Sequence, residues 1–586
     1  FAEAHGNAAK LLRLRGRLDD AIAEYREAIR ARPDFAEAHS EMGLALLAEG
    51  KIEEAVAACR EGVRLQPGTA LTHNNLGLAL EAAGRRGEAV EAWREALRLQ
   101  PDLAEAHTNL GAALRHMGKP DEAIAAYREA LRLQPDAPPV HNNLGNAYKD
   151  QGRLDLALPC FRRAVELLPD SAEVESNLVY VLHFHPDYDA HALLAESGRW
   201  EARHARKYAA AIRPHANDPD PARRLRIGYV SPDFRSHVVG YNVLPLLQAH
   251  DHEGCEIFCY SSVSKPDEMT GRLRGCADVW REIARVGDDR AAEMIREDRI
   301  DILVDLTLHM AANRLLVFAR KPAPIQVTYL GYCGTTGMSA MDYRLSDPFL
   351  DPPDGDDSCS SEQTIRLPRS YWCYQPIGPC PDLQPAPMLD AGFVTFGCLN
   401  NFAKVSPAAL DLWAEILEAT PQSRLLLSAP PGSCREEIVA RFATRDISAG
   451  RLEFVGKQPW EQYIRNWQRI DIGLDPFPYG GGITTCDALW MGTPVVSLRG
   501  RAAVGRGGCS ILSNLGLPDL IAETTERYKE IAVSLANDCS RLSASRSSLR
   551  ERMASSPLRD AERFARDVES VYRGIWRTWC IRGSSK

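Results

Sequence analysis

The stretch of this sequence best suited to chemistry is residues 475–487, DPFPYGGGITTCD, followed by ALWMG. It reads as the end of a strand, then a glycine-rich turn, then a helix. Gly480, Gly481 and Gly482 remove side-chain bulk, so backbone amides and the positive end of a helix starting near Ile483 can meet a diphosphate. Thr484 and Thr485 add hydroxyl donors without adding charge, and Asp487, on the first helical turn, can accept hydrogen bonds from ribose hydroxyls. In isolation the segment is equally an ordinary glycine turn with a threonine cap. No GxxxxGK[ST] loop is present and GxGxxG is missing from the first strand-helix turns, so a nucleoside-triphosphate hydrolase is not indicated. His309, at the end of LTLHM, is a candidate for ligand contact, or else a packed loop histidine. Gly331, Gly334 and Gly337 in LGYCGTTG either admit a ligand close to the backbone or serve as turn glycines.

The elements that must position these residues are legible as apolar runs. From Arg226 onward RIGYVS, EIFCYSS, DILVDLTLH and IQVTYLGY alternate with helical stretches, the pattern of parallel strands covered on both faces. Residues 374–387, YQPIGPCPDLQPAP, are too proline-rich for either element and read as a linker. The alternation then restarts with FVTFGCLN, RLLLSAP, RLEFVG, IDIGLDP and PVVSLRG. Two doubly wound lobes with a cleft between them follow, with ligand loops just after the strands. A closing helical pattern, about 557–579, is expected to cross back over the first lobe.

The first third of the chain is different. Pro33, Pro67, Pro101, Pro135 and Pro169 recur every 34 residues, in register with His5, His39, His73, His107 and His141 and with Gly16, Gly50, Gly84, Gly118 and Gly152. Gly43, Gly77, Gly111 and Gly145 fall at a close-approach position of a helix pair, and Tyr25, Cys59, Trp93, Tyr127 and Phe161 at a large apolar one. The period and pattern resemble the tetratricopeptide repeat, a helical hairpin that must stack to bury its apolar face. The histidine column is expected to pack at the helix interface rather than to bind metal. Asn7, Asn75, Asn109, Asn143 and Asn177 share one position, interrupted by Glu41. Such a column suggests a ladder gripping an extended peptide by its main chain; the alternatives are a solvated stripe or local bonds between repeats. The expected domains are the repeat superhelix at 1–183, a helical linker at 184–223, a first lobe at 224–375, an interlobe linker at 376–390 and a second lobe at 391–586.

A net charge of −9 and a pI near 6.0 leave no basic field for nucleic acid. The 15 cysteines include no CxxC pair, which suits reduced thiols better than disulfides or zinc. No apolar run reaches the roughly 18 residues of a membrane helix and no signal peptide is seen, so a soluble, cytoplasmic protein is expected. The opening FAEAH repeats residues 35–39 and lacks a Met, so sequence upstream of Phe1 is expected.

RIGYVSPDFRSH, the stretch from DLTLHM to MSAMDY, LNNFAKVSP and GGGITTCDALWMGTPVV, together with the repeats, resemble the O-GlcNAc transferase family, including its bacterial and plant members. The resemblance implies an α-superhelix followed by two Rossmann-like lobes of the GT-B type. It also implies inverting transfer of a sugar from a nucleotide donor, UDP-GlcNAc, to Ser and Thr hydroxyls of proteins, with no metal required. By motif, His237 matches the histidine proposed as base or acceptor-orienting group, and Lys404 the lysine that neutralises the departing diphosphate. Asn401 stands where the animal enzyme has a glutamine, and Tyr463 where it has a histidine beside the nucleoside. Gly481, Gly482, Ile483, Thr484, Thr485 and Asp487, with His309, Gly331 and Gly334, complete the implied donor site. Two other readings stay open: a protein O-fucosyltransferase using GDP-fucose, whose plant relatives share this architecture, and a repeat scaffold with a degenerate catalytic half.

Overall fold

The computed structural model describes residues 1–584. One compact unit comprises Phe1–Gln151 with Pro430–Ser433, and a second comprises Gly152–Ala429 and the chain from Cys434 on.

The first unit consists of helical hairpins, Ala2–Leu14 with Leu18–Ala31, Ala36–Glu49 with Ile52–Leu65, Ala70–Ala82 with Arg86–Leu99, and Ala104–His116 with Pro120–Leu133, then Pro138–Asp150. The period has three physical causes. Gly16, Gly50, Gly84 and Gly118 turn each hairpin at positive φ, between 72° and 88°, where a side chain is strained. A β-carbon at Gly77 would lie 2.5 Å from the Trp93 ring and one at Gly111 2.7 Å from Tyr127, so the glycine column lets the large apolar column in. The third cause joins the proline and histidine columns. The imidazole Nε2 of His39, His73, His107 and His141 bonds the carbonyl of Pro33, Pro67, Pro101 and Pro135 at 3.1, 2.9, 2.9 and 2.7 Å. The histidine expected at a packed interface is therefore a turn clamp, closing the link to the next repeat. Two asparagines also differ from the peptide-ladder expectation. Asn75 is buried and donates to the Ser40 hydroxyl at 3.0 Å, and Asn109 donates to the Asn74 carboxamide oxygen at 3.1 Å. Both stitch neighbouring repeats, while Asn143 and Asn177 are half-buried.

The second unit opens with helices Leu154–Leu167, Ala172–Leu182 and Ala190–Trp200. The expected repeat boundary at 183 is thus not the boundary of compactness, which falls at Gly152. The first lobe holds β1 (Leu225–Ser231), β2 (Cys255–Ser261), β3 (Val279–Glu282), β4 (Ile302–Asp305), β5 (Ile325–Thr328), β6 (Tyr343–Ser346) and β7 (Gln363–Arg366), in the order 3-2-1-4-5-6-7. The second holds β8 (Thr395–Cys398), β9 (Arg424–Ser428), β10 (Leu452–Val455), β11 (Ile472–Leu474), β12 (Val495–Leu498) and β13 (Ile521–Ala522), in the order 10-9-8-11-12-13. Neighbouring strands pair in parallel in both sheets. The strand order reverses between β1 and β4 and again between β8 and β11, and at such switch points the loops splay apart and leave a crevice. Residues 232–237 and 399–404 leave β1 and β8, and 475–482 leave β11.

The apolar runs of the sequence all become strands. The β3, β6, β7 and β13 segments, VWRE, YRLS, QTIR and IA, lie toward the sheet edges, carry charge or are short, and give no such signal. The C-terminal helix Ala561–Ser584 does return to the first lobe: Glu569 meets His250 at 2.7 Å and the Trp576 indole donates to the Asp220 carbonyl at 3.0 Å. Every described cysteine is a free thiol.

Gly77→Ala should destabilise the repeat unit by about 1–3 kcal/mol, because the Trp93 ring must move from a closely packed site. Thermal denaturation followed by far-ultraviolet circular dichroism checks this; an unchanged midpoint would show that Trp93 yields freely.

Candidate functional site

On the second lobe, the Asn401 carboxamide accepts the Ala403 amide at 3.1 Å and caps the short turn Phe402–Lys404. That turn directs half-buried Lys404 at the glycine run, where Nζ donates to the Gly480 carbonyl at 2.9 Å and lies 4.0 Å from the Tyr479 ring centre. Burial lowers the ammonium pKa to about 8, and the nearby Asp475 partly opposes the shift.

Asp475 did not stand out in the sequence, yet it organises the turn. Fully buried at the end of β11, it accepts the Gly481 amide and the Ser497 hydroxyl, each at 2.7 Å, and burial pushes its carboxyl up to about 6. The Gly481 amide, assigned from sequence to a diphosphate, is thus engaged by the protein. The glycines too have internal reasons. A β-carbon at Gly481 would meet Thr485 Oγ1 and lie 2.6 Å from Asp475, and one at Gly482 would lie 2.7 Å from the Trp372 ring. Helix Ile483–Trp490 starts here, with Ile483 and Thr484 half-buried and Thr485 buried behind the turn.

Asp487 is not the open acceptor that the sequence suggested. It is buried, and its two oxygens accept the hydroxyls of Tyr374 at 2.7 Å and Tyr463 at 2.9 Å; burial raises its pKa to about 7. Tyr463, expected beside the nucleoside, is fixed by that bond and lies 5.6 Å from the Trp460 ring. Tyr374 sits at the start of the proline-rich segment, where no motif marked it.

On the first lobe, His237 caps helix Val238–Ala249. Its Nδ1 lies 3.3 Å from the Val239 amide and 3.4 Å from the Asp233 carboxylate; in the tautomer that turns an Nδ1 proton to Asp233, the Nε2 lone pair is left for a substrate. Burial lowers its pKa, with Asp233 opposing and Arg235 assisting, which favours the neutral imidazole that a general base requires.

Three other first-lobe candidates have close partners within the protein. His309 is fully buried: Nδ1 meets the Ser176 hydroxyl at 3.2 Å, Nε2 meets the Thr336 carbonyl at 2.8 Å, and burial lowers its pKa to about 3. Both its nitrogens are thus engaged within the protein. A β-carbon at Gly331 would lie 2.9 Å from the Thr307 backbone, and one at Gly334 2.6 Å from the Tyr332 ring, so close packing accounts for both glycines. Gly334 does line a cavity of about 250 Å³, together with Thr335 of the first lobe and Val504 and Arg506 of the second.

A sequence model described as glycosyl transferase family 41 matches residues 203–375 and 387–568. The chain belongs to glycosyl transferase family 41. Tetratricopeptide models match 9–50, 36–69, 68–136 and 102–170 of this family 41 chain. It is 36% identical to a Thermobaculum terrenum O-GlcNAc transferase variant, with a TM-score of 0.82 over 88% of this chain and 99% of that one. It is 41% identical, over 62% of its length, to a petunia protein named probable UDP-N-acetylglucosamine--peptide N-acetylglucosaminyltransferase SPINDLY, and 30% identical, over 61%, to an Arabidopsis protein of the same name ending in SEC. These alignments span 40% and 38% of the two plant proteins. The two-lobed architecture with helical repeats is that of the Thermobaculum enzyme.

His309→Ala should lower stability by about 1–3 kcal/mol, since a buried carbonyl and hydroxyl lose their partner, while leaving nucleotide affinity unchanged. Denaturant titration beside nucleotide calorimetry on the folded variant checks this; a selective loss of binding would return His309 to the donor site.

Proposed function

We propose that this chain is an inverting protein O-glycosyltransferase that moves N-acetylglucosamine from UDP-GlcNAc to Ser and Thr hydroxyls, on acceptor proteins recruited by the repeats. The names of its relatives support the donor and acceptor class. The observation that carries the chemistry is Lys404, an ammonium held against the glycine turn at the β8–β11 switch point. His237 Nε2 takes the proton of the acceptor hydroxyl as its oxygen bonds the anomeric carbon. The bond from that carbon to the diphosphate breaks, and the electron pair leaves on the phosphate oxygen. Lys404 and the terminus of helix Ile483–Trp490 attract that growing charge, more strongly in the transition state than in the bound donor. The free thiols suit a reducing compartment, and we place the reaction in the cytoplasm.

Calorimetry with UDP and GDP tests the donor: UDP should bind more tightly, and a preference for GDP would move the assignment to a GDP-sugar such as GDP-fucose. Lys404→Ala should lose about 2.7–4 kcal/mol of barrier stabilisation with the fold intact. Activity within a few-fold of the parent would remove Lys404 from the mechanism. Because its pKa is lowered to about 8, the ammonium loses its proton as pH rises through that value, so UDP affinity should fall above it. Lys404→Arg, charged throughout, should abolish this pH dependence. Transfer should also survive EDTA; complete inhibition reversed by added metal would assign the diphosphate to a cation instead.

A further inference from the structure

We propose that His191, Asp356 and Cys359 form a zinc(II) site at the rim of the cavity between the lobes. Among the described residues this is the one group of three or more such side chains whose ligand atoms all lie within 4.8 Å of one another. His191 stands on the first turn of helix Ala190–Trp200, and the other two are the cap and the last residue of the short turn Asp357–Cys359, more than 160 residues later, so no sequence spacing reveals them. The proposal stands apart from the donor assignment, because none of the three belongs to the Lys404 or His237 loops.

The two separations that His191 makes are close to those of a coordination shell. Zinc bonds of about 2.0–2.1 Å to imidazole, 2.0–2.2 Å to carboxylate and 2.3 Å to thiolate, at tetrahedral angles, place nitrogen and oxygen about 3.3 Å apart and nitrogen and sulfur about 3.6 Å apart. His191 Nε2 lies 3.0 Å from Asp356 Oδ2 and 3.5 Å from Cys359 Sγ. One ring nitrogen therefore already faces both other ligands.

The ligands are held from behind. Asp356 Oδ1 accepts the Ser358 amide at 2.9 Å and its hydroxyl at 2.6 Å, which turns Oδ2 toward the histidine. Asp189 caps the His191 helix by accepting the Ala192 amide at 2.9 Å. The donor set decides the metal: imidazole and thiolate suit zinc, whereas magnesium and calcium prefer oxygen alone. On binding, the Cys359 thiol releases its proton to solvent as the zinc–sulfur bond forms, and the imidazole coordinates through the Nε2 lone pair. Three protein ligands leave the fourth position to water. Asp356 and Cys359 line the same cavity as Gly334 and Arg506, so the metal would tether this turn to helix Ala190–Trp200 beside the interlobe site.

The full chain, stripped with EDTA and dialysed, is titrated with cobalt(II) and then zinc. One equivalent of cobalt should produce a thiolate-to-cobalt charge-transfer band that zinc abolishes, and zinc should raise the melting temperature. Cys359→Ser should lose the band and the thermal shift, and His191→Ala should weaken zinc binding more than about tenfold. Cys539→Ser, which removes an exposed thiol elsewhere, should keep both signals. No band in the parent, or a band retained in Cys359→Ser, would overturn the proposal and leave an ion pair with a neighbouring thiol. Should His191→Ala fail to fold, the parent and Cys359→Ser titrations decide the question alone.

Discussion

The second lobe's site depends on a carboxyl group buried where β11 ends. Asp475 has no water to solvate it, so it must be satisfied by the protein, and it takes the Gly481 amide and the Ser497 hydroxyl. Those bonds pull the glycine turn down onto β12. The turn's Gly480 carbonyl is then in place for the Lys404 ammonium, and helix Ile483–Trp490 starts where the turn ends. The same carboxyl is one of the groups that offset the desolvation of Lys404. A single buried acid thus links a strand end, a glycine turn and a cation, which is the positioning that a charge-stabilising site requires.

A second buried acid does comparable work on the helix that follows the turn. Asp487 joins Tyr374, from the interlobe segment, to Tyr463, from helix Trp460–Asn466. It ties the proline-rich linker to the second lobe, and its two tyrosine bonds set the orientation of an aromatic side chain near the glycine turn. Both acids lie near neutral pKa because burial disfavours their charge. The first lobe shows the same economy: Asp233 steadies His237, and Asp305 ends β4 by accepting the Thr307 and Leu308 amides.

The repeats achieve order by other means. From the second hairpin to the fourth, each unit reuses one left-handed glycine, one glycine packed against a side chain of the paired helix and one imidazole on a proline carbonyl. Every one of these is local or separated by a fixed interval, so the pattern can be copied with the sequence. Its asparagines show where copying stops being informative: Asn75 finds Ser40 while Asn109 finds Asn74, because the residues of the preceding repeat differ.

By itself the sequence determined whatever depends on periodicity or on local backbone geometry. The 34-residue hairpins, nine of the strands, the two lobes, the returning C-terminal helix and the loops that carry His237 and Lys404 were all legible, because hydrophobic period and turn chemistry are written in adjacent residues. Strands β3, β6, β7 and β13 were not, since charged residues or shortness leave them without an apolar run. Tertiary structure alone decided which side chains are partners. His309 looked like a ligand-binding histidine until Ser176 and Thr336 took both its nitrogens, and Asp487 looked open until two tyrosines closed over it. Gly481 and Gly482, read as room for a phosphate, are also required by Thr485, Asp475 and Trp372 packed against them. A residue's type fixes what it can bond, but its partner is fixed by packing between segments that lie far apart in the chain.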